Sequence, residues 1–386
     1  MSPRTMYDPV PVITDINDLY PKDAVSSQEQ RFERLKERFL DLYKKKPNFI
    51  ARSPGRVNLI GEHIDYSLYE VLPMAIAADV LIAVSAIPQS AENRDDVKVH
   101  VANLNFQRFK QELHAEALPF PKMDPPITFM IAQSFVAADK HVAAPENYNL
   151  RVVECTLAAE LLAVKMGVKI KGDSGPLGTS LRGCQNACFE NLSETPFPGP
   201  EQQVERMLTF AEKLLDKSEG YSREEISSSL SLSVPALEEK FMTKFPVRAE
   251  RFYLRQRAQH VFTEALRVQV FKRLLRSPPS DANTSLLPKL GAILNESHAS
   301  SRDIYVHSCP EIDQMCEIAL EAGSYGGRVT GAGWGGCSVH LVPKDKVDVV
   351  RAAWEEKYYR KREPGISKEK LAEAVVVSEP GHGAMV

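Results

Sequence analysis

The sequence predicts an α+β fold spread over two domains, and three observations carry that prediction. The chain has 386 residues, enough for two domains of ordinary size with a substantial core. Apolar runs of strand length stand early and late in the chain. Between them, from about 147 to 323, apolar residues recur at helical spacing. Hydrophobic content of 43% and charged content of 26% suit a globular protein. A formal net charge of −3 gives no electrostatic case for nucleic acid or an anionic membrane as partner. No run reaches the length of a spanning helix, and Met1-Ser2-Pro3-Arg4 lacks the layout of a signal peptide. The six cysteines include no CxxC, so reduced thiols, a cytoplasmic location and no metal site are expected.

Residues 1–26, with Pro3, Pro9, Pro11 and Pro21, read as an extended lead-in. Ser27 followed by Gln30 is a capping-box pattern. Phe32, Leu35, Phe39 and Leu42 then place an amphipathic helix over 27–45, closed by Lys44, Lys45 and Lys46. Phe49-Ile50-Ala51 reads as a buried strand entering a turn at Pro54-Gly55, and Val57, Leu59 and Ile60 read as core. Residues 71–87 read as a buried strand pair with Asp79 in a structural role, 88–96 as a polar turn, and Val97–Val101 as a half-exposed strand. Residues 127–136 read as a strand. A helix runs from Asn147 through Val164 with Val153, Leu157, Leu161 and Leu162 on one stripe. Residues 171–203 read as irregular, and 203–217 and 222–245 as short helices. Leu254, Ala258, Val261, Ala265 and Val268 mark a long helix, followed by a helix over 288–300 and another from Pro310 to Gly323. Ser338–Val342 reads as a strand, 344–360 as a helix and 374–377 as a last strand.

The stretch from Ser53 to Tyr66 sets Arg56, Glu62, His63 and Asp65 beside an apolar run. An ionised group near a core is costly unless paired or bound. Carboxylates only accept hydrogen bonds and a guanidinium only donates, so this set suits gripping the hydroxyls of a sugar. The plain alternatives are a salt-bridged surface turn, an ion pair of Arg56 with Glu62 or Asp65, and a structural imidazole at His63. Gly331, Gly333, Gly335 and Gly336 form a second unusual stretch, where backbone can approach a ligand closely or simply turn a hairpin.

SPGRVNLIGEHIDY resembles the first motif of galactokinases, members of the GHMP small-molecule kinase family, and TGAGWGGC resembles the third. Together with YNLRVVE, these stretches are most similar to fungal-type galactokinases. The resemblance implies a two-domain GHMP kinase fold and transfer of the γ-phosphoryl group of ATP, with Mg²⁺, to the anomeric hydroxyl of galactose. The product would be galactose 1-phosphate, the first step of galactose catabolism. By the same resemblance Arg56, Glu62, His63, Asp65 and Tyr148 bind galactose, with Arg56 also the catalytic arginine. Asp139 and Lys140 fall beside the nucleotide, the four glycines lie under the active site, and the protein is a monomer.

Two parts of that pattern are missing. The family has a GLSSSA-type loop opening a helix, and a Gly-Gly-Met-Asp-Gln-type segment with the catalytic aspartate. This chain instead runs through Asn103–His114 and Pro119, Pro121, Pro125 and Pro126, then resumes family-like sequence at Thr128. The domains expected are therefore 27–120, internally deleted near 103–120, and 121–386. The nearest stand-in for the loop is Ser174–Ser180, where Pro176 removes a backbone N–H and no helical pattern follows. Ser227-Ser228-Ser229 has no glycine beside it and reads as a helix face or turn. Asp65 and Asp139 are the carboxylates left to weigh as a base, the first already committed to sugar. The expectation is a galactokinase impaired in catalysis. The alternatives are a non-catalytic galactose sensor acting in transcriptional regulation and an N-acetylgalactosamine kinase.

Overall fold

The computed structural model describes residues 11–20, 24–85, 118, 120–121, 123–136, 143–190, 197–276 and 283–380. The turn expected over 88–96, the strand over 97–101, the segment 103–114 and the pair Asp139 and Lys140 lie outside them. The chain divides into two compact units, one of residues 1–55, 75–119 and 381–386, the other of residues 56–74 and 120–380.

In the first unit, helix α1 (Val25–Tyr43) buries none of its residues. It starts two residues before Ser27, whose hydroxyl donates to the carbonyl of Ala24 at 2.8 Å, so the expected capping box does not form. Strand β1 (Phe49–Ile60) runs straight through Pro54-Gly55, and strand β2 (Leu72–Val84) is one strand rather than a pair; the two form a two-stranded sheet. The first correction has a simple cause, since among the described residues β1 pairs on one side only, and proline is tolerated at such an edge. Asp79 is structural as expected. Tyr20 Oη and Arg52 Nε each donate to it at 2.5 Å, and Arg31 reaches its other oxygen. Burial pushes the Asp79 carboxyl up, but these three donors outweigh it and hold the group below its ordinary range.

The second unit is a helical mass beside a four-stranded sheet. Helix α2 (Tyr148–Met166) buries thirteen residues, the predicted stripe among them. Then come α3 (Leu181–Phe189), α4 (Pro200–Leu214), α5 (Arg223–Ser229), α6 (Val234–Met242), α7 (Leu254–Arg276) and α8 (Asn283–Ser300). All five residues that marked α7 in the sequence are buried. Helix α8 runs into a wider π-helical turn over Ser301–Tyr305. Helix α9 (Pro310–Glu321) opens on proline as expected. Strands β3 (Ile127–Gln133), β4 (Gly326–Thr330), β5 (Cys337–Pro343) and β6 (Val375–Ser378) form an antiparallel sheet in the order β4–β5–β3–β6. Helices α10 (Val347–Trp354) and α11 (Lys368–Ala374) pack beside it, and Trp354 Nε1 donates to the Met315 carbonyl at 2.9 Å.

Three expectations change here. Residues 171–203 are not wholly irregular, because Ser180 caps α3 by accepting the Gly183 N–H at 3.0 Å. Strand β4 carries no strand-like signal because Gly326 and Gly327 open it. Close packing demands them, since a Cβ on Gly326 would lie 2.2 Å from the Gly291 oxygen. The helix expected over 344–360 is divided, α10 giving way to a π-helical turn at Glu355–Tyr359.

Candidate active site

The site grows from the end of β1. After Ile60 the chain turns on Gly61, φ 104°, and places His63 in the left-handed region at φ 60°. Such a conformation costs about 1 kcal/mol or more for a residue with a Cβ and persists only where its surroundings hold it. They do so here. Gly61 N–H donates to Glu264 Oε1 at 3.0 Å, and His260 Nε2 lies 3.2 Å from the Glu62 carbonyl oxygen. His260 and Glu264 stand one turn apart on α7, both fully buried.

Glu62 and His63 both reach the glycine loop. Glu62 Oε1 accepts from Thr330 Oγ1 and from the Gly331 N–H, each at 2.9 Å. Burial raises its carboxyl above the ordinary value, against the pull of Arg328 and these two donors. His63 Nε2 lies 3.0 Å from the Ala332 carbonyl oxygen and Nδ1 3.0 Å from the Tyr66 hydroxyl. Burial lowers its pKa to about 3, so the ring is neutral. The loop is tied elsewhere as well: Trp334 N–H donates to the His307 carbonyl at 2.7 Å and Gly336 N–H to that of Val136 at 3.0 Å. All four glycines have positive φ, at 91°, 82°, 132° and 75°. Gly333 admits nothing larger, since its Cβ would stand 2.2 Å from the His307 oxygen.

The turn that carries Tyr305 and His307 is itself clamped from two helices. Arg151 on α2 donates to the carbonyls of Tyr305 at 2.8 Å and Val306 at 3.1 Å, and Arg257 on α7 to that of Ile304 at 2.5 Å. Glu154 joins the arginines, accepting from Arg257 Nε at 2.7 Å and Arg151 Nη1 at 3.2 Å. Buried charges are tolerable when paired and fully hydrogen-bonded in this way.

Against this frame the other expected residues are open. Asp65 is exposed at the start of a short 3-10 turn. Tyr148, 40% exposed at the start of α2, has its ring 5.8 Å from that of His63 and 5.9 Å from that of Tyr66. Burial and the nearby Asp65 charge raise its phenol. Arg56 is exposed and its side chain makes no hydrogen bond or ion pair to a described residue, so the buried pair with Glu62 or Asp65 is absent among them. The structure thus brings His63, Tyr148 and the glycine loop together. Sequence reasoning missed Tyr66, Tyr305, His307, His260 and Glu264. A signal for the last two existed: they are polar residues set into the apolar stripe of α7.

No nucleotide cradle appears among the described residues. A helix does follow the stretch 174–180, contrary to expectation, but its N-terminus is filled from within. Asp173 Oδ2 accepts from Ser180 Oγ at 2.7 Å and Oδ1 from the Gly175 N–H at 2.8 Å. A phosphate placed there would meet that carboxylate instead of free backbone donors. The described residues include no group of three or more His, Cys, Asp or Glu arranged to hold a metal ion. The stretch 174–180 does not fit the phosphates of ATP.

Comparison with known proteins gives two family matches. The galactokinase galactose-binding signature matches residues 37–86, and the GHMP kinases C-terminal model matches residues 282–360. The galactokinase of Saccharomyces cerevisiae is 31% identical, over 90% of this chain and 93% of its own length. That of Schizosaccharomyces pombe is 29% identical, over 92% and 95%. Both alignments run over 493 positions, more than the 386 residues present here, so many of those positions face no residue of this chain. Lactococcus lactis galactokinase, solved in complex with galactose, shares the fold with a TM-score of 0.51 at 17% identity, over 92% of this chain and 99% of that one.

Proposed function

The chain belongs to the galactokinase family of sugar kinases, and from that premise we propose that it binds galactose but transfers phosphate slowly or not at all. One observation carries this reading. The residues that the resemblance assigns to sugar stand on or beside a braced frame, whereas the nearest stand-in for a phosphate loop is blocked by Asp173. Asp65 and the Tyr148 hydroxyl offer open hydrogen-bonding groups at the mouth of the site. Glu62 and His63, which the family resemblance assigns to galactose, act here as the floor that fixes the glycine loop. Arg56, a permanent charge free of described partners, would meet the anomeric side of the sugar. Carboxylates aimed at hydroxyls discriminate well, because an analogue lacking one leaves a charge unpaired.

Phosphoryl transfer is mostly positioning and charge neutralisation. Family membership implies ATP use, yet the donors that would position ATP are not in this sequence. Asp65 and Asp139 are the available carboxylates for the base, and neither serves: the first is engaged with sugar, the second is assigned to the nucleotide side. A coupled assay of galactose-dependent ADP release tests the proposal, with no turnover above background expected. Robust turnover would overturn it. Joint binding of galactose and ATP without turnover would instead favour a sensor.

A further inference from the structure

A single carbonyl orients a chain of hydrogen bonds that runs from α2 to the glycine loop. His63 Nε2 faces the Ala332 carbonyl oxygen at 3.0 Å. A carbonyl oxygen cannot donate, so Nε2 carries the ring proton. In a neutral imidazole Nδ1 is then an acceptor, and its partner at 3.0 Å is the Tyr66 hydroxyl, which must be the donor. Tyr66 has one proton, so in its contact with the Tyr305 hydroxyl it is the acceptor. Tyr305 has likewise committed its proton, and its contact with Cys155 Sγ at 3.3 Å is completed by the thiol proton. The order is therefore Cys155, Tyr305, Tyr66, His63, Ala332, each donating to the next.

Geometry makes this more than packing. The His63 ring lies 5.2 Å from that of Tyr305, 4.5 Å from that of His307 and 5.7 Å from that of Trp334, so it is enclosed by groups that hold the loop or belong to it. His307 cannot take the place of Tyr66, since neither of its ring nitrogens has a described partner. The hydroxyl of Tyr66 is thus the described donor that fills His63 Nδ1.

We propose that Tyr66 and Tyr305 are positioning residues for sugar recognition, locking His63 so that it pins the glycine loop at Ala332 beside Asp65 and Tyr148. The proposal rests on the galactose reading, which the affinity readout tests, whereas the locking of His63 is read separately by its tautomer and exchange. The test uses the full chain with ¹⁵N-labelled histidine, its His63 signals assigned through His63→Gln. The expected wild-type spectrum shows His63 as the Nε2–H tautomer with a ring proton protected from exchange. Tyr66→Phe removes the donor at Nδ1 and should abolish that protection, with galactose affinity falling about tenfold, the loss of one buried hydrogen bond. Tyr305→Phe leaves the Tyr66 donor in place and should give a smaller loss of both. An Nδ1–H tautomer in the wild type would overturn the proposal, as would a Tyr66→Phe chain with unchanged protection and affinity. If the wild-type chain binds no galactose, the sugar reading fails, while the tautomer and exchange data still decide the role of the tyrosines.

Discussion

Glu62 and Glu264 are buried carboxylates whose surroundings push them in opposite directions. At Glu62 burial prevails and raises the group. At Glu264 burial also acts upward, but Arg328, His260, Arg267 and Ser297 outweigh it and hold the pKa at about 2, against an ordinary 4.5. A depressed carboxyl contributes stability that is present above its unfolded pKa and lost as pH falls through the folded one. Glu264 should therefore cost the fold stability between about pH 4.5 and pH 2. Urea unfolding followed across that range should show the loss, and Glu264→Gln should flatten it while lowering stability at neutral pH. A raised carboxyl such as Glu62 has the opposite sign: it adds stability as pH falls toward 4.5, above the window in which Glu264 loses it. At this scale the sequence was half legible. Glu62 and His63 stood out as polar residues in an apolar run, but their partners Thr330, Gly331 and Ala332 lie 268 and 269 residues further on. No local pattern encodes such a meeting.

Among the elements, the glycine loop shows most directly how conformation and packing combine. Gly333 has φ 82°, and a Cβ there would stand 2.2 Å from the His307 oxygen. Gly333→Ala should thus lower stability by about 1–3 kcal/mol, read as a lower urea midpoint, and should weaken galactose binding by displacing Trp334 from His307. A midpoint equal to that of the parent would show that the loop can shift without cost. The long helices were readable because their apolar periodicity is set by one buried face, as at Ala258, Val261, Ala265 and Val268. Helix α3 and strand β4 were not. Helix α3 begins among glycines and a proline that serve the turn before it. Strand β4 opens with glycines because Gly291 and His340 press against it. In each case a tertiary contact decided the residue type and erased the local signal.

Over the molecule as a whole, the burial of the two units differs. The second holds a continuous helical core and a four-stranded sheet. Among its described residues, the first has a helix with no buried residue and most of one two-stranded sheet, with Leu42 53%, Val80 59% and Ile82 43% exposed. A pair of strands is marginal in isolation, and exposed apolar surface favours association. The purified chain should bind a hydrophobic dye under native conditions and unfold in more than one step. A single cooperative thermal transition without dye binding would contradict that. Family membership was legible from three short stretches of sequence. The blocking of the nearest stand-in for a phosphate loop by Asp173 was visible only in three dimensions.

Galactose binding without nucleotide binding is the expected behaviour of this chain. Calorimetric titration of galactose, then of ATP with Mg²⁺, into one preparation tests it most directly, with Asp65→Ala run beside the parent. The expected result is a galactose isotherm in the parent, a weakened one in Asp65→Ala at unchanged melting temperature, and little or no heat from nucleotide in either. Saturable ATP binding of ordinary affinity, or galactose binding indifferent to Asp65, would contradict it.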